Sequence, residues 1–282
     1  MNKVGITITM LVLMLSTRLL AQDFQGRAEY VSKFMFKSAR MESADDDKKT
    51  GEDLELKATI EEAMKKASEK SYTLIFNRQE AVYEENEVLE KPATNGLSIS
   101  IKMSGDGKKY INAKEKITLE EAEIFGKEFL IEEPLVQPQW RMTNETKKIG
   151  DYTCMKAELV IPVTEAQKEA YKEFLKKEEK KPALFKMDEP KDKVVVAWYT
   201  PEIPVSFGPS NYWGLPGLIL EINEDNLIIL CSKVVLNSKE KLKIKRPNVG
   251  DKVSQKEFNR IEKKKTDSMK DEDGLIIQSF QN

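Results

Sequence analysis

NYWGLPGLILEINEDNLIILCSKVVL, residues 211–236, decides how this chain folds. From Leu218 the apolar residues fall at a spacing of two, as Leu218, Leu220 and Ile222, which is the pattern of a strand with one buried face. A second apolar run, 227–236, follows after Glu224-Asp225, so the two runs read as a β-hairpin. Leu215-Pro216-Gly217-Leu218 predicts a type II turn, with proline presetting φ near roughly −65° and Gly217 accepting positive φ. Upstream, Pro201, Pro204 and Pro209 each remove a backbone donor, so regular sheet cannot pass through 201–213. Yet Trp198, Tyr199, Ile203, Val205, Phe207, Tyr212 and Trp213 all call for burial. The expectation is a stiff corner over the end of the core, whose rim at Tyr212 and Trp213 also meets a ligand or partner.

The same period of two runs outward. Residues 23–36 place Phe24, Gly26, Ala28, Tyr30, Phe34 and Phe36 in strand spacing, and 71–77 repeat it with Tyr72, Leu74 and Phe76. Segments 97–103 and 108–113 flank Gly105-Asp106-Gly107 as a predicted hairpin. Residues 123–133 are strand material around Gly126, 139–149 and 150–161 meet at Ile149-Gly150-Asp151, and 193–199 is a β-branched run. Helical spacing covers 50–70, with Leu56, Ile60, Met64 and Ala67 on one face. It also covers 164–181, opened by the capping box Thr164/Gln167, and 254–265, opened by Ser254/Glu257. Hairpin order with few crossover helices predicts a mainly β, α+β domain: a curved antiparallel sheet with inserted helices. An open half-barrel wrapped over helices, of the periplasmic lipoprotein-carrier type, is the nearest architectural analogy.

Composition removes whole classes of chemistry. The chain has no histidine, so the commonest general base, zinc ligand and triad partner are missing. The formal net charge is −2 with acids and bases interspersed, which argues against a nucleic-acid partner. Two cysteines, Cys154 and Cys231, are too few for a Cys-only zinc site. They are candidate disulfide partners in an oxidising compartment, where closing so long a loop would contribute about 4–5 kcal/mol, or else two separate buried thiols. No cofactor or metal is implied. Lys3 followed by the apolar run 4–15 and a small residue at Ala21 reads as a signal peptide over 1–21, leaving 22–282 as one exported domain, periplasmic or outer-surface. No run in that mature chain is long enough to span a membrane.

Several of these residues resemble the GLPGLI family. The hexapeptide stands at 214–219, preceded by Trp198-Tyr199-Thr200-Pro201-Glu202-Ile203-Pro204 and by Gly208-Pro209. Gly26 with Tyr30, Trp140 with Glu145-Thr146, and Tyr152 with Cys154 also follow that pattern. Charged insertions near 45–70 and 164–193 depart from it. The resemblance implies a secreted protein of Gram-negative bacteria and implies no known activity.

Three functional classes follow. The first is an exported binding or carrier protein for an apolar or amphipathic ligand. The second is an accessory protein that docks on an envelope partner through 198–219. The third is a hydrolase using paired carboxylates such as Glu202 and Glu221. The binding reading is preferred, with no catalytic residue assigned. Its site would be drawn from Trp198, Tyr199, Pro201, Glu202, Pro204, Tyr212, Trp213, Gly214, Leu215, Pro216 and Gly217.

Overall fold

The computed structural model describes residues 24–35, 68–86, 107–178 and 189–268. Twelve strands form one mainly antiparallel sheet: β1 (Gln25–Phe34), β2 (Glu69–Asn77), β3 (Glu80–Glu85), β4 (Lys109–Asn112), β5 (Ile117–Ile124), β6 (Lys127–Pro134), β7 (Arg141–Ile149), β8 (Tyr152–Ile161), β9 (Lys193–Thr200), β10 (Leu218–Glu224), β11 (Leu227–Leu236) and β12 (Asp251–Val253). Helix α1 (Glu165–Glu178) lies between β8 and β9, and α2 (Gln255–Asp267) follows β12. The spatial order is β12-β6-β5-β4-β3-β2-β1-β11-β10-β9-β8-β7, open at both ends. Only β12 breaks the antiparallel rule, pairing parallel with β6.

The order describes two meanders that share β1. One runs outward from β1 to β6; the other starts at the opposite edge with β7 and returns to β11, which pairs with β1. The segment 135–140 must therefore join one side of the sheet to the other. In a flat sheet, β6 and β7 would stand ten strand spacings apart, about 48 Å. The chain from Pro134 to Arg141 reaches at most about 25 Å. The sheet has to curl, and the connection lies across its hollow.

Alternation sorts the side chains. Tyr30, Tyr72, Leu74, Phe76, Tyr83, Ile111, Ala157, Val195, Ala197, Tyr199 and Ile222 line the inner face and are buried. Tyr72 and Tyr83 stack at 4.9 Å, and the Tyr30 hydroxyl donates to the Ile219 carbonyl at 2.7 Å. At the β5–β6 end, Phe258 and Ile261 of α2 cover Phe129 and Ile131 on that same face. On the outer face Tyr110, Leu119 and Leu130 are covered by Ile244.

Several sequence expectations change. The helix over 50–70 falls mostly outside the described residues, but its end does not hold: Glu69 and Lys70 already belong to β2. Residues 97–103 also lie outside the described set. Both edges of β4 are taken, by β3 and β5, so the hairpin across 105–107 is not what holds it. Around Gly126 the chain turns back on itself, with Phe125 at φ 49° and Gly126 at φ 80° joining β5 to β6. A register shift between Ile219 and Glu221 breaks the simple alternation of β10, so Ile219 faces Tyr199 while Ile222 faces Ala197. The Thr164/Gln167 box forms, the two residues bonding reciprocally; at Ser254 only half of the box forms, with Ser254 Oγ accepting from the Glu257 amide while the Glu257 carboxylate pairs with Arg260.

Candidate functional site

The chain leaves the sheet after Thr200 and re-enters at Leu218, directly opposite Thr200. The excursion 201–217 closes on itself and carries its own backbone bonds, as a compact surface loop does. Leu218 N donates to the Ile203 carbonyl at 3.0 Å, Ile219 N to Phe207 at 3.0 Å and Gly214 N to Ser206 at 2.8 Å. Ile203, Val205, Phe207 and Leu215 are buried and join the inner-face core, so the loop plugs the hollow.

The Pro216-Gly217 corner differs from the expected type II turn. Gly217 N donates to the Leu215 carbonyl at 2.9 Å, and Gly217 does not take positive φ. Glycine is required for another reason: a Cβ there would lie 2.2 Å from the Thr200 carbonyl oxygen. Positive φ in this loop falls instead on Ser210, at 56°, and Gly214, at 91°.

The eleven residues singled out in the sequence do not converge on one point. Trp198 is on the outer face, with the Lys147 ammonium 4.3 Å from its ring centre. Tyr199 is buried, and its hydroxyl contacts Met142 Sδ at 3.3 Å. Tyr212 is buried and donates to Glu224 Oε2 at 2.6 Å; burial first, and then that carboxylate, pushes its phenol well up from the ordinary value. Leu215 and Gly217 are core, while Pro201, Glu202, Pro204 and Pro216 are exposed. The Glu202 carboxylate accepts from the Thr153 amide at 2.8 Å, and Glu221 is held by Lys147 at 2.7 Å. Cys154 and Cys231 are both buried as free thiols in this structure. Burial is the main cause that lifts Cys154 to about 11 and Cys231 to about 12, and the two are near enough that Cys154 adds to the upward push on Cys231.

Trp213 and Gly214 are half-buried, and they lie against the connection 135–140. The Trp140 indole donates to the Trp213 carbonyl at 2.8 Å, the Trp213 indole donates to the Val136 carbonyl at 3.3 Å, and Gln137 Nε2 lies 3.5 Å from the Gly214 carbonyl. Loop and connection thus brace each other, and beside them the hollow is not filled.

A cavity of about 300 Å³ opens there. Its apolar wall is Trp213, Ile111, Ile131, Leu135 and Val136; its polar groups are Thr118, Glu120, Glu133, Asn211 and Gln255. Strand register explains the grouping, because Ile111, Thr118 and Glu133 form one cross-strand row and Lys109, Glu120 and Ile131 the next. Buried Lys109 pairs with Glu120 at 3.5 Å. Glu133 accepts from the Gln255 amide at 2.6 Å, so its charge sits at the N-terminus of α2. The two cavity carboxylates are thereby balanced, and the site is amphipathic without a strong net charge. Among the described residues no group of three or more Cys, Asp or Glu is placed to hold a metal ion. Of the sequence-stated residues only Trp213 lines this cavity. Thr118, Glu120 and Glu133 were missed because their grouping depends on strand register and not on spacing in the sequence, and Asn211 and Gln255 because the loop and α2 reach the cavity only through the tertiary fold.

Residues 140–221 match the protein-family model described as "Protein of unknown function (Porph_ging)". No curated protein matches the chain. Two solved structures, "Structure of PNGF-II in C2 space group" and "Structure of PNGF-II in P21 space group", are each 14% identical over 86% of this chain, with TM-scores of 0.46 and 0.47. The chain spans about a third of the length of those two proteins, 33% and 34%.

Proposed function

We propose that this chain is an exported binding protein that holds a small amphipathic ligand in the inner-face cavity beside Trp213. The observation that carries the reading is the composition of that cavity. One wall is aromatic and aliphatic, the other offers a hydroxyl, two amides and two balanced carboxylates. Ligand sites commonly have this form: a mostly apolar concavity with a few placed polar groups. At about 30 Å³ per water, the space equals roughly ten waters. The fitting occupant is the size of a sugar ring or a short acyl or aromatic compound.

Export is supported by the 1–21 segment, and membership in the GLPGLI family by the hexapeptide at 214–219, which lies inside the matched region 140–221. The burial of the loop favours ligand binding over docking through 198–219, since Ile203, Phe207 and Leu215 turn inward and leave few apolar atoms for a partner. The engagement of Glu202 by Thr153 and of Glu221 by Lys147 weighs against the carboxylate hydrolase.

Octyl glucoside, octylamine and octanoate test the reading by titration against intrinsic tryptophan emission, with Ile131→Glu as the variant. At least one amphiphile should shift emission saturably in the parent and at least tenfold more weakly in Ile131→Glu, which places a charge in the apolar wall. No saturable response to any of the three, together with no small molecule retained in native mass spectrometry of protein from its own host, would refute it.

A further inference from the structure

Beyond β11 the chain does not leave the sheet but crosses its outer face. Gln25 anchors the start: its side-chain amide donates to the Glu240 carbonyl at 3.1 Å, and its oxygen accepts from the Leu242 amide at 3.1 Å. Arg246 anchors the end, pairing with Glu115 at 2.8 Å and lying 5.7 Å from the Tyr110 ring centre. Between the anchors, Leu242 and Ile244 turn toward the sheet while Lys241, Lys243 and Lys245 are exposed. Lys239 is exposed too.

These four lysines differ from most of the lysines on the strands, though Lys148 of β7 is exposed and, among the described residues, without an ion pair as they are. Lys33, Lys127, Lys147, Lys193 and Lys252 each have a carboxylate partner. Lys239, Lys241, Lys243 and Lys245 have no ion-pair partner among the described residues. Glu240 is an exposed acid within the row. Successive lysines are at most about 7 Å apart along the chain. Both ends of the row are pinned, so ordering it on binding costs little.

We propose that this strap, residues 238–246, is a docking row for a linear anionic polysaccharide. The row is single file, matching a chain of evenly spaced carboxylates or sulfates. The apolar residues of the strap face inward, so nothing projects beside the lysines to enter a bilayer. The strap also carries no aromatic residue on which nucleic-acid bases would stack.

Polygalacturonate is the probe, with the full mature chain at about 50 mM salt, where exposed charges are weakly screened. The parent should bind it, and raising the salt should weaken that binding. The variant K239S/K241S/K243S/K245S should bind at least tenfold more weakly while keeping its circular dichroism spectrum and unfolding midpoint. Three results overturn the proposal. One is no binding by the parent. Another is an equal loss in the control K127S/K252S, which removes two exposed, paired lysines at the sheet edge. The third is capture by phosphatidylglycerol vesicles without capture by polygalacturonate, which would assign the row to a lipid surface.

Discussion

Replacing Gly217 with alanine tests the central packing claim, because two mechanisms predict different costs. In the structure Gly217 sits against the backbone of Thr200 and Pro201. An added Cβ would lie 2.2 Å from the Thr200 oxygen, 2.5 Å from its carbon and 2.9 Å from the Pro201 nitrogen. Real Cβ contacts stay beyond 3.0 Å, so the start of β10 and the end of β9 must part by about 0.8 Å, the difference between 3.0 and 2.2. No side chain can swing away to relieve this. Overpacking costs typically 1–3 kcal/mol. Parting the strands also weakens the Leu218–Ile203 backbone bond, worth about 1 kcal/mol. The expected loss for Gly217→Ala is therefore about 2–4 kcal/mol.

Gly214 supplies the internal control. It takes φ 91°, and its nearest neighbours to an added Cβ are Gln137 Cγ and Pro138 Cδ at 3.4 Å, an ordinary contact. Gly214→Ala should cost only the backbone term, about 1–2 kcal/mol. Urea unfolding followed by tryptophan emission reads both, since Trp213 lies in the loop and Trp140 bonds to its backbone. If Gly214→Ala proves the more damaging, or Gly217→Ala costs under about 1 kcal/mol, the close approach of β9 to the 217 corner is wrong.

Three further outcomes follow from the same geometry. Tyr212→Phe removes the buried donor to Glu224, leaves that carboxylate to Lys193 alone, and should lower stability by about 1.5–3 kcal/mol in the same urea assay. Trp213→Ala should cost about 1.5–2.5 kcal/mol, roughly half the 3–5 of a fully buried tryptophan, while abolishing the amphiphile response. Stability should fall as pH rises above about 9: the two thiols have folded-state values of about 11 and 12, so the unfolded chain releases their protons first, at up to about 1.4 kcal/mol per pH unit for each thiol. A flat unfolding midpoint from pH 8.5 to 10.5 would contradict their burial.

Much of the sheet was legible because one-sided burial writes a period of two into the chain. Residues 23–36 and 71–77 show it; the β-branched run 193–199 and the apolar run 227–236 were legible from their residue types, and the Gly150-Asp151 hairpin and the Thr164/Gln167 box from local turn and cap residues. What was not legible has physical reasons. The strand β3 reads EAVYEE, too charged and short to stand out. The turn at Phe125-Gly126 places a bulky residue at positive φ, where sequence rules expect Asn or Asp. At Gly217 the sequence demanded glycine, but could not distinguish backbone contact from positive φ, since both exclude a Cβ. The cavity was invisible for a deeper reason: its residues come from β4, β5, β6, the 135–140 connection, the loop and the start of α2.

That dispersal bears on what the Gly-Leu-Pro-Gly-Leu-Ile segment is for. The segment is largely structural: Leu215, Leu218 and Ile219 are buried, and both glycines answer backbone demands. But its position follows from the topology. A curled sheet whose edges are tied by 135–140 has a hollow, and something must fill it or water will. The loop fills one part, α2 covers another, and Trp213 stands at the boundary between them with its indole bonded to the connection. A single rigid plug thus both completes the core and sets the wall of the remaining space. The size and lining of the cavity then depend on how far the plug reaches, and a change at Gly214 or Trp213 alters the site without touching the strands that make its other walls.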